Sequence, residues 1–295
     1  MKNTRIKQSF GDRLFDVINV LLMFLLMFSI VYPFWDLLVE SLNNGYAAGL
    51  GRLWPTKFTW FNYEKVFANR FIWSGYRETL IVTSLGTVLT MIFTIIGAYA
   101  LSKENFPFRK LWTLMIVIPM FFSGGLIPSY LWNVQLGLRN TRWVLILPGL
   151  ISSYNLIVMR NFFSGVPKEL EESAFMDGAS NIRTLVSIYL PVSLAVIATV
   201  TLWVLVAYWN AWFNATIYIS KADMFPLQVV LRRIILEGTN ELMEIGNDDT
   251  GTNALNNLDN IKAATIFVCV VPILCVYPFI QKYFVKGTLV GAIKG

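Results

Sequence analysis

At 295 residues, with 56% hydrophobic and only 14% charged side chains and a mean hydropathy of +0.57, the chain is too apolar for a water-soluble globular domain and reads as a membrane domain. In so apolar a chain the net charge of +6 fits basic loops facing an anionic inner leaflet better than a nucleic-acid surface. The absence of histidine removes the commonest metal ligand and general base. Cys269 and Cys275 share one apolar run and would lie roughly 9 Å apart along a helix, too far for a disulfide, so they read as small packing residues.

Residues 1–13, with Lys2, Arg5, Lys7 and Arg13, form a basic segment ahead of an apolar run over 14–39. That run is longer than a signal-peptide core and carries Tyr32-Pro33-Phe34-Trp35 in place of a small-residue cleavage site. It reads as an uncleaved first span with its basic, cytoplasmic end inside. Residues 40–76 are polar and aromatic, and Trp54-Pro55-Thr56 and Phe58-Thr59-Trp60-Phe61 mark an ordered outer loop at the interface. A second span over 80–101 runs into the short basic turn 102–110, expected on the cytoplasmic side. A third span over 111–132 is interrupted by Ser123-Gly124-Gly125 and Pro128, breakers tolerated where a helix faces protein or a water-filled path. An outer turn with Arg139 and Arg142 leads to a fourth span over 143–163.

The loop 164–191 that follows has the marks of two short helices. Pro167 suits a first helical position, and Glu169, Glu171 and Glu172 crowd the first turns, where carboxylates complement the helix dipole. Gly178 can take the left-handed conformation of a C-terminal cap. Ser180 can cap a second helix with Ile182, Leu185, Val186 and Tyr189 on one side and Asn181, Arg183 and Ser187 on the other. Leu190-Pro191 is predicted to end it. Glu172-Ser173-Ala174, then Asp177-Gly178-Ala179, then Leu190-Pro191 resemble the EAA loop of ABC importer permeases, with Ser173 where Ala is usual and Ala195 where a further Pro often stands. The resemblance implies an all-α integral membrane protein of about six transmembrane helices, the type I ABC importer permease fold. There this cytoplasmic loop is a coupling helix that seats in a groove on the ATPase subunit. It places that role on Glu171, Glu172, Ser173, Ala174, Asp177, Gly178, Ala179, Leu190 and Pro191.

The fifth span, over 192–219, contains Trp203, Tyr208, Trp209, Asn210, Trp212 and Asn214, and Trp209-Asn210-Ala211-Trp212 resembles a Trp-Asn pair of the same family. An outer segment over 220–261 holds Phe225-Pro226-Leu227-Gln228 and an acidic, Asn-rich run over 247–260; the last span covers 263–284. Two other stretches are similar to these permeases: Ala98 to Ser102 followed by Phe106-Pro107-Phe108-Arg109, and the ending Lys282 to Lys286 with the tail Gly291-Ala292-Ile293-Lys294-Gly295, which resembles the carbohydrate branch. The permease domain is thus read as 14–287 and a cytoplasmic tail as 288–295. Lys and Arg are denser in the short inner loops than outside, which puts the N-terminus in the cytoplasm.

No Gly-x-x-x-x-Gly-Lys-Ser/Thr run occurs, so if transport is ATP-driven, as the resemblance implies, ATP and Mg belong to another chain. The resemblance implies as partners a second homologous permease in a heterodimer, two ATPase subunits, an extracellular solute-binding protein and a carbohydrate, in a bacterial cell membrane. Sugars offer hydroxyls and flat apolar faces, which suit aromatic rings beside amides. On that ground Trp203, Tyr208, Trp209, Asn210, Trp212 and Asn214, with Tyr154 and Asn155 of the fourth span, are the substrate-pathway candidates. An ion-coupled secondary transporter is the alternative, but such proteins keep carboxylates within the bundle, and Asp16, Asp36 and Glu78 are expected near span ends. An intramembrane enzyme lacks a catalytic set, having no His and no Gly-x-Ser-x-Gly turn.

Overall fold

The computed structural model describes residues 10–44, 53–237, 258–276 and 278. The N-terminal segment 1–9, most of the acidic run 247–260 and the basic ending with the tail 288–295 lie outside the described residues. The helices are α1 (Phe10–Ser41), α2 (Phe61–Ala68), α3 (Arg70–Ser102), α4 (Arg109–Phe121), α5 (Leu126–Gln135), α6 (Trp143–Ile146), α7 (Ser153–Ser164), α8 (Lys168–Met176), α9 (Asn181–Thr184), α10 (Leu190–Val192), α11 (Leu194–Trp209), α12 (Phe213–Tyr218), α13 (Leu227–Glu237) and α14 (Leu258–Val276). Among the described residues the only β pairing is a single bridge between Asn43 and Phe58. Among the described residues four stretches are long and apolar enough to cross a membrane, and up to six if each bent pair, α4 with α5 and α6 with α7, is one span. The expected all-α, multi-span architecture is therefore what the chain adopts.

The chain divides into two compact units, residues 1–68 with 238–268, and residues 69–237 with 269–295. In the first, α1 exposes apolar side chains all round, and none of its most apolar window is buried; such a helix needs hydrocarbon or another protein around it. Its C-terminal end is ordered by asparagines. Asn62 Nδ2 donates to the carbonyls of Ser41 and Asn43, both at 2.9 Å, and Asn43 Oδ1 accepts from Thr56 and from the Lys57 N–H. This fixes the aromatic loop expected to lie at the interface.

The second unit is built on α3. Asn69 caps it, its side chain accepting from the Phe71 N–H at 2.8 Å, so the helix starts at Arg70, ten residues before the expected span; residues 70–76, assigned to the outer loop, are its first turns. Ile72, Thr79, Val82, Thr83, Thr87, Thr90 and Thr94 are buried, while Leu80, Val88, Ile92 and Ile96 are exposed. That reversal of the soluble pattern, hydroxyls inward and aliphatics outward, belongs to a helix solvated by lipid. α7, α11 and α13 pack on α3. Gly86 makes one of these contacts possible: a Cβ there would stand 2.7 Å from the Tyr208 ring. Glu78 is fully buried in the third turn of α3 and is matched by Arg142 at 2.9 Å and Arg77 at 3.0 Å.

Other spans are less regular than expected. The third turns by 119° between α4 and α5, where Gly125 takes φ +83°, and the fourth bends by 47° just after Pro148-Gly149. The fifth stops at Trp209 and resumes at Phe213, and the outer segment contains α13, with α14 starting at Leu258. Leu190-Pro191 does not end a helix. Residues 185–189 form a π turn, the Leu190 N–H reaching the Leu185 carbonyl, and the helical path continues into α11. The wider turn accommodates the proline ring and its missing donor without breaking the path.

Candidate functional site

The loop between α7 and α11 is closed by local chemistry. Pro167 stands just before α8, one position ahead of expectation, and Glu169 and Glu171 occupy the first turn. The end of α8 is a Schellman motif: the Ala179 N–H bonds the Ala174 carbonyl at 2.9 Å and the Gly178 N–H that of Phe175 at 3.0 Å, with Gly178 at φ +76°. A Cβ at Gly178 would meet nothing within 4 Å, so the glycine serves the backbone angle and not a packing contact within this chain. Ser180 then caps α9, accepting from the Arg183 N–H at 3.4 Å.

Tertiary contacts pin one edge of α8 to the turn after α3. The Lys103 ammonium lies 2.7 Å from Glu171 Oε1 and donates to the Tyr189 hydroxyl at 3.0 Å, and that hydroxyl donates to Glu171 Oε2 at 2.7 Å. The rings of Tyr99 and Tyr189 flank the ammonium, each centroid at 4.1 Å. The Lys103 and Glu171 side chains are 19% and 18% exposed. Burial lowers the Lys103 pKa below its ordinary value, and Glu171 offsets part of that shift. A second, solvent-exposed link joins Lys168 to Glu104 at 2.6 Å; it holds the Glu104 carboxyl below and the Lys168 ammonium above their ordinary values. Lys103, Glu104, Lys168, Glu171 and Tyr189 line a cavity of about 600 Å³.

The opposite edge is open. Leu170, Ser173, Asp177 and Met176 at 88% are exposed there, as is Ile182 of α9 at 76%; Glu172 and Phe175 are also exposed but line the cavity beside Glu171. Ala174, Ala179 and Leu190 are half-buried and Pro191 is exposed. Lys103, Glu104, Lys168 and Tyr189 were not singled out for this site from sequence. The available signal was the reciprocal charge order, Lys103-Glu104 against Lys168 and Glu171.

The substrate-pathway candidates separate into groups. Tyr154 and Trp203 are exposed, and their rings pair at 5.7 Å; Asn155 is half-buried in the first turn of α7. Tyr208 is buried, its hydroxyl 3.0 Å from Thr90 Oγ1 and donating to the Ile146 carbonyl at 3.4 Å. Trp209 is also buried, and its indole N–H has no hydrogen-bond partner among the described residues. Asn210 is exposed but donates to the Val206 carbonyl of its own helix at 3.0 Å. Trp212 carries the Arg232 guanidinium 3.9 Å above its ring, and Asn214 is exposed.

Comparison with known proteins decides the family. Residues 1–290 match the family described as the binding-protein-dependent transport system inner membrane component. This chain is a member of that permease family. The permease is 39% identical to Protein LplC of Bacillus subtilis (strain 168), over all of its own length and 98% of that protein. It is 37% identical to the polygalacturonan/rhamnogalacturonan transport system permease protein YtcP of the same organism, covering 96% and 99% of the two chains. The trehalose/maltose transport system permease protein MalG of Thermococcus litoralis is 27% identical over 96% of the permease and 97% of that protein. Among solved structures, a chain of a bacterial ABC transporter involved in the import of the acidic polysaccharide alginate superposes with a TM-score of 0.87 at 30% identity, covering 95% of the permease and 99% of that chain. The permease is thus a transport subunit and not an enzyme, a multi-pass membrane component whose family works with an ATPase and a solute-binding protein.

Proposed function

We propose that this permease is one half of a heterodimer that moves an oligosaccharide inward by alternating access, driven by ATP and Mg on two copies of a separate ATPase docked on residues 164–191, with the N-terminus in the cytoplasm. The observation that carries the proposal is the two-edged build of α8. One edge is fastened to α3 through Lys103, Glu171 and Tyr189, and the other presents Leu170, Ser173, Met176 and Asp177 to solvent. A short, capped helix with its inner edge fixed and its outer edge free is a stiff lever, and movement of a partner seated on it would pass to α3 as rigid-body motion. The names of the relatives, polygalacturonan, rhamnogalacturonan, trehalose, maltose and alginate, support a saccharide cargo. The exposed pair Tyr154 and Trp203, with Asn155, and the corner at Asn210, Trp212 and Asn214 are the surfaces we assign to it. Tyr208 and Trp209 stand behind them as buried support.

Glu172→Lys tests the docking. Glu172 is exposed and makes no ion pair among the described residues, so the variant should insert at wild-type levels while losing uptake and substrate-stimulated ATP hydrolysis. Normal uptake would refute the assignment of the loop to the ATPase.

A further inference from the structure

A second cavity, of about 670 Å³, opens beside the coupling loop and is lined by Phe108, Arg109, Lys110, Leu114, Val117 and Arg160, with Glu104 and Thr113 at its edge. Two guanidiniums converge in it. Arg109 and Arg160 each donate from Nε to the same Leu101 carbonyl, at 2.9 and 3.2 Å, one of the last carbonyls of α3, which have no partner within the helix. Each guanidinium has five N–H donors, so the bond to Leu101 leaves both Nη groups of each. No acid pairs with Arg109, Lys110 or Arg160 among the described residues, and the single carboxylate at the edge, Glu104, is taken by Lys168. Three cations around one void repel each other unless an anion joins them.

The wall of the cavity indicates which anion. Leu114 and Val117 lie in the first turns of α4, and the neighbouring Leu111, Trp112, Met115 and Ile118 are exposed on the same helix. Trp112 stands one turn from the cations, and tryptophan favours the boundary between headgroups and acyl chains. The site is thus basic at the helix end and apolar along the helix, the profile of a phospholipid rather than of a free ion.

We propose that this cavity binds the phosphate of an anionic phospholipid from the leaflet on the coupling-loop side, with Arg109, Lys110 and Arg160 as donors and Phe108, Leu114 and Val117 against the first acyl methylenes. The proposal rests on the reading of α4 as part of a membrane span, and not on the docking of the ATPase.

The test uses the intact transporter in nanodiscs of phosphatidylcholine carrying a few per cent of photoactivatable phosphatidylglycerol. Adducts should map to peptides containing residues 108–117 and 160. Arg109→Gln and Arg160→Gln should each lower labelling about five-fold, and together roughly 25-fold. Arg160→Lys should retain most of it, which separates loss of charge from loss of fold. Equal labelling in the double variant, or equal labelling by a photoactivatable phosphatidylcholine, would overturn the proposal. So would displacement by soluble glycerol phosphate as effective as by unlabelled phosphatidylglycerol, which would make this a free-anion site, or labelling that appears only after the ATPase is stripped, which would make it a protein contact. ATPase co-purification from each variant is scored separately and bears on the coupling reading alone.

Discussion

Removing the Lys103 charge should loosen α8 locally without unfolding the bundle. The ammonium and Glu171 are 2.7 Å apart and about four-fifths buried; at an effective dielectric of 20 their attraction is about 6 kcal/mol. Most of that is offset by the cost of desolvating both charges, leaving a net coupling on the order of 2 kcal/mol. Lys103→Met keeps the apolar stem between Tyr99 and Tyr189 but leaves Glu171, among the described residues, with only the Tyr189 hydroxyl. Glu171→Leu strands the ammonium instead. Amide hydrogen exchange over residues 168–178 of the purified transporter reads the local opening equilibrium, and about 2 kcal/mol corresponds to roughly thirty-fold faster exchange. Either single variant should show an acceleration of that order. The double variant should exchange more slowly than the product of the two effects, by a similar factor, because both charges leave together. Unchanged exchange in both single variants, or strictly multiplicative effects, would show that the pair does not hold α8.

Gly178→Ala should cost about 1 kcal/mol through the left-handed backbone angle alone, since the new methyl meets nothing; faster exchange confined to the end of α8, with Gly178→Asn milder, would confirm it, and a global loss of stability would contradict it. Gly86→Ala should be worse tolerated, because the added Cβ would stand 2.7 Å from the Tyr208 ring; the thermal midpoint of the purified protein should fall, and pairing it with Tyr208→Leu should recover part of the loss. The Glu104–Lys168 link should be lost at acid pH. The folded Glu104 carboxyl titrates below its ordinary value of 4.5, so its contribution is present above that value and disappears as pH falls through the lower folded one; the difference in thermal midpoint between wild type and Glu104→Gln should vanish along that descent, and a pH-independent difference would exclude the link.

What could be read from sequence was the chemistry contained within a few adjacent residues. Gly178 supplies an angle, Ser180 a cap and Pro167 a start, and each acts on backbone groups one turn away; the helix–turn–helix of the loop followed directly. Lys103 and Glu171 are 68 positions apart, and their meeting depends on where α3 ends relative to α7, which no local pattern encodes. Pro191 misled for a related reason. Proline disfavours a helix locally, yet the packing of the continuous path from α9 to α11 outweighs that preference, and a π turn absorbs the difference. The inward threonines of α3 were visible as composition. Their side became clear only when the facing helices were in place.

The two edges of α8 also constrain how force can travel in the proposed cycle. Its inner fastening is to Lys103, the first residue past α3, which is continuous with the turns that α7 and α11 pack against. A push on the outer edge therefore reaches α3 directly, at its end, without first crossing the π turn at residues 185–189. The other route, along the chain through α9 into α11, passes through that turn, whose wider backbone ring is the more deformable of the two paths. Lys103→Met removes the side-chain fastening and leaves the backbone path through residues 185–189 unaltered in sequence, so it tests the first route by itself. Loss of substrate-stimulated ATP hydrolysis in Lys103→Met, with the ATPase still bound, would show that the side-chain fastening carries the coupling; unchanged stimulation would assign the lever to the chain itself.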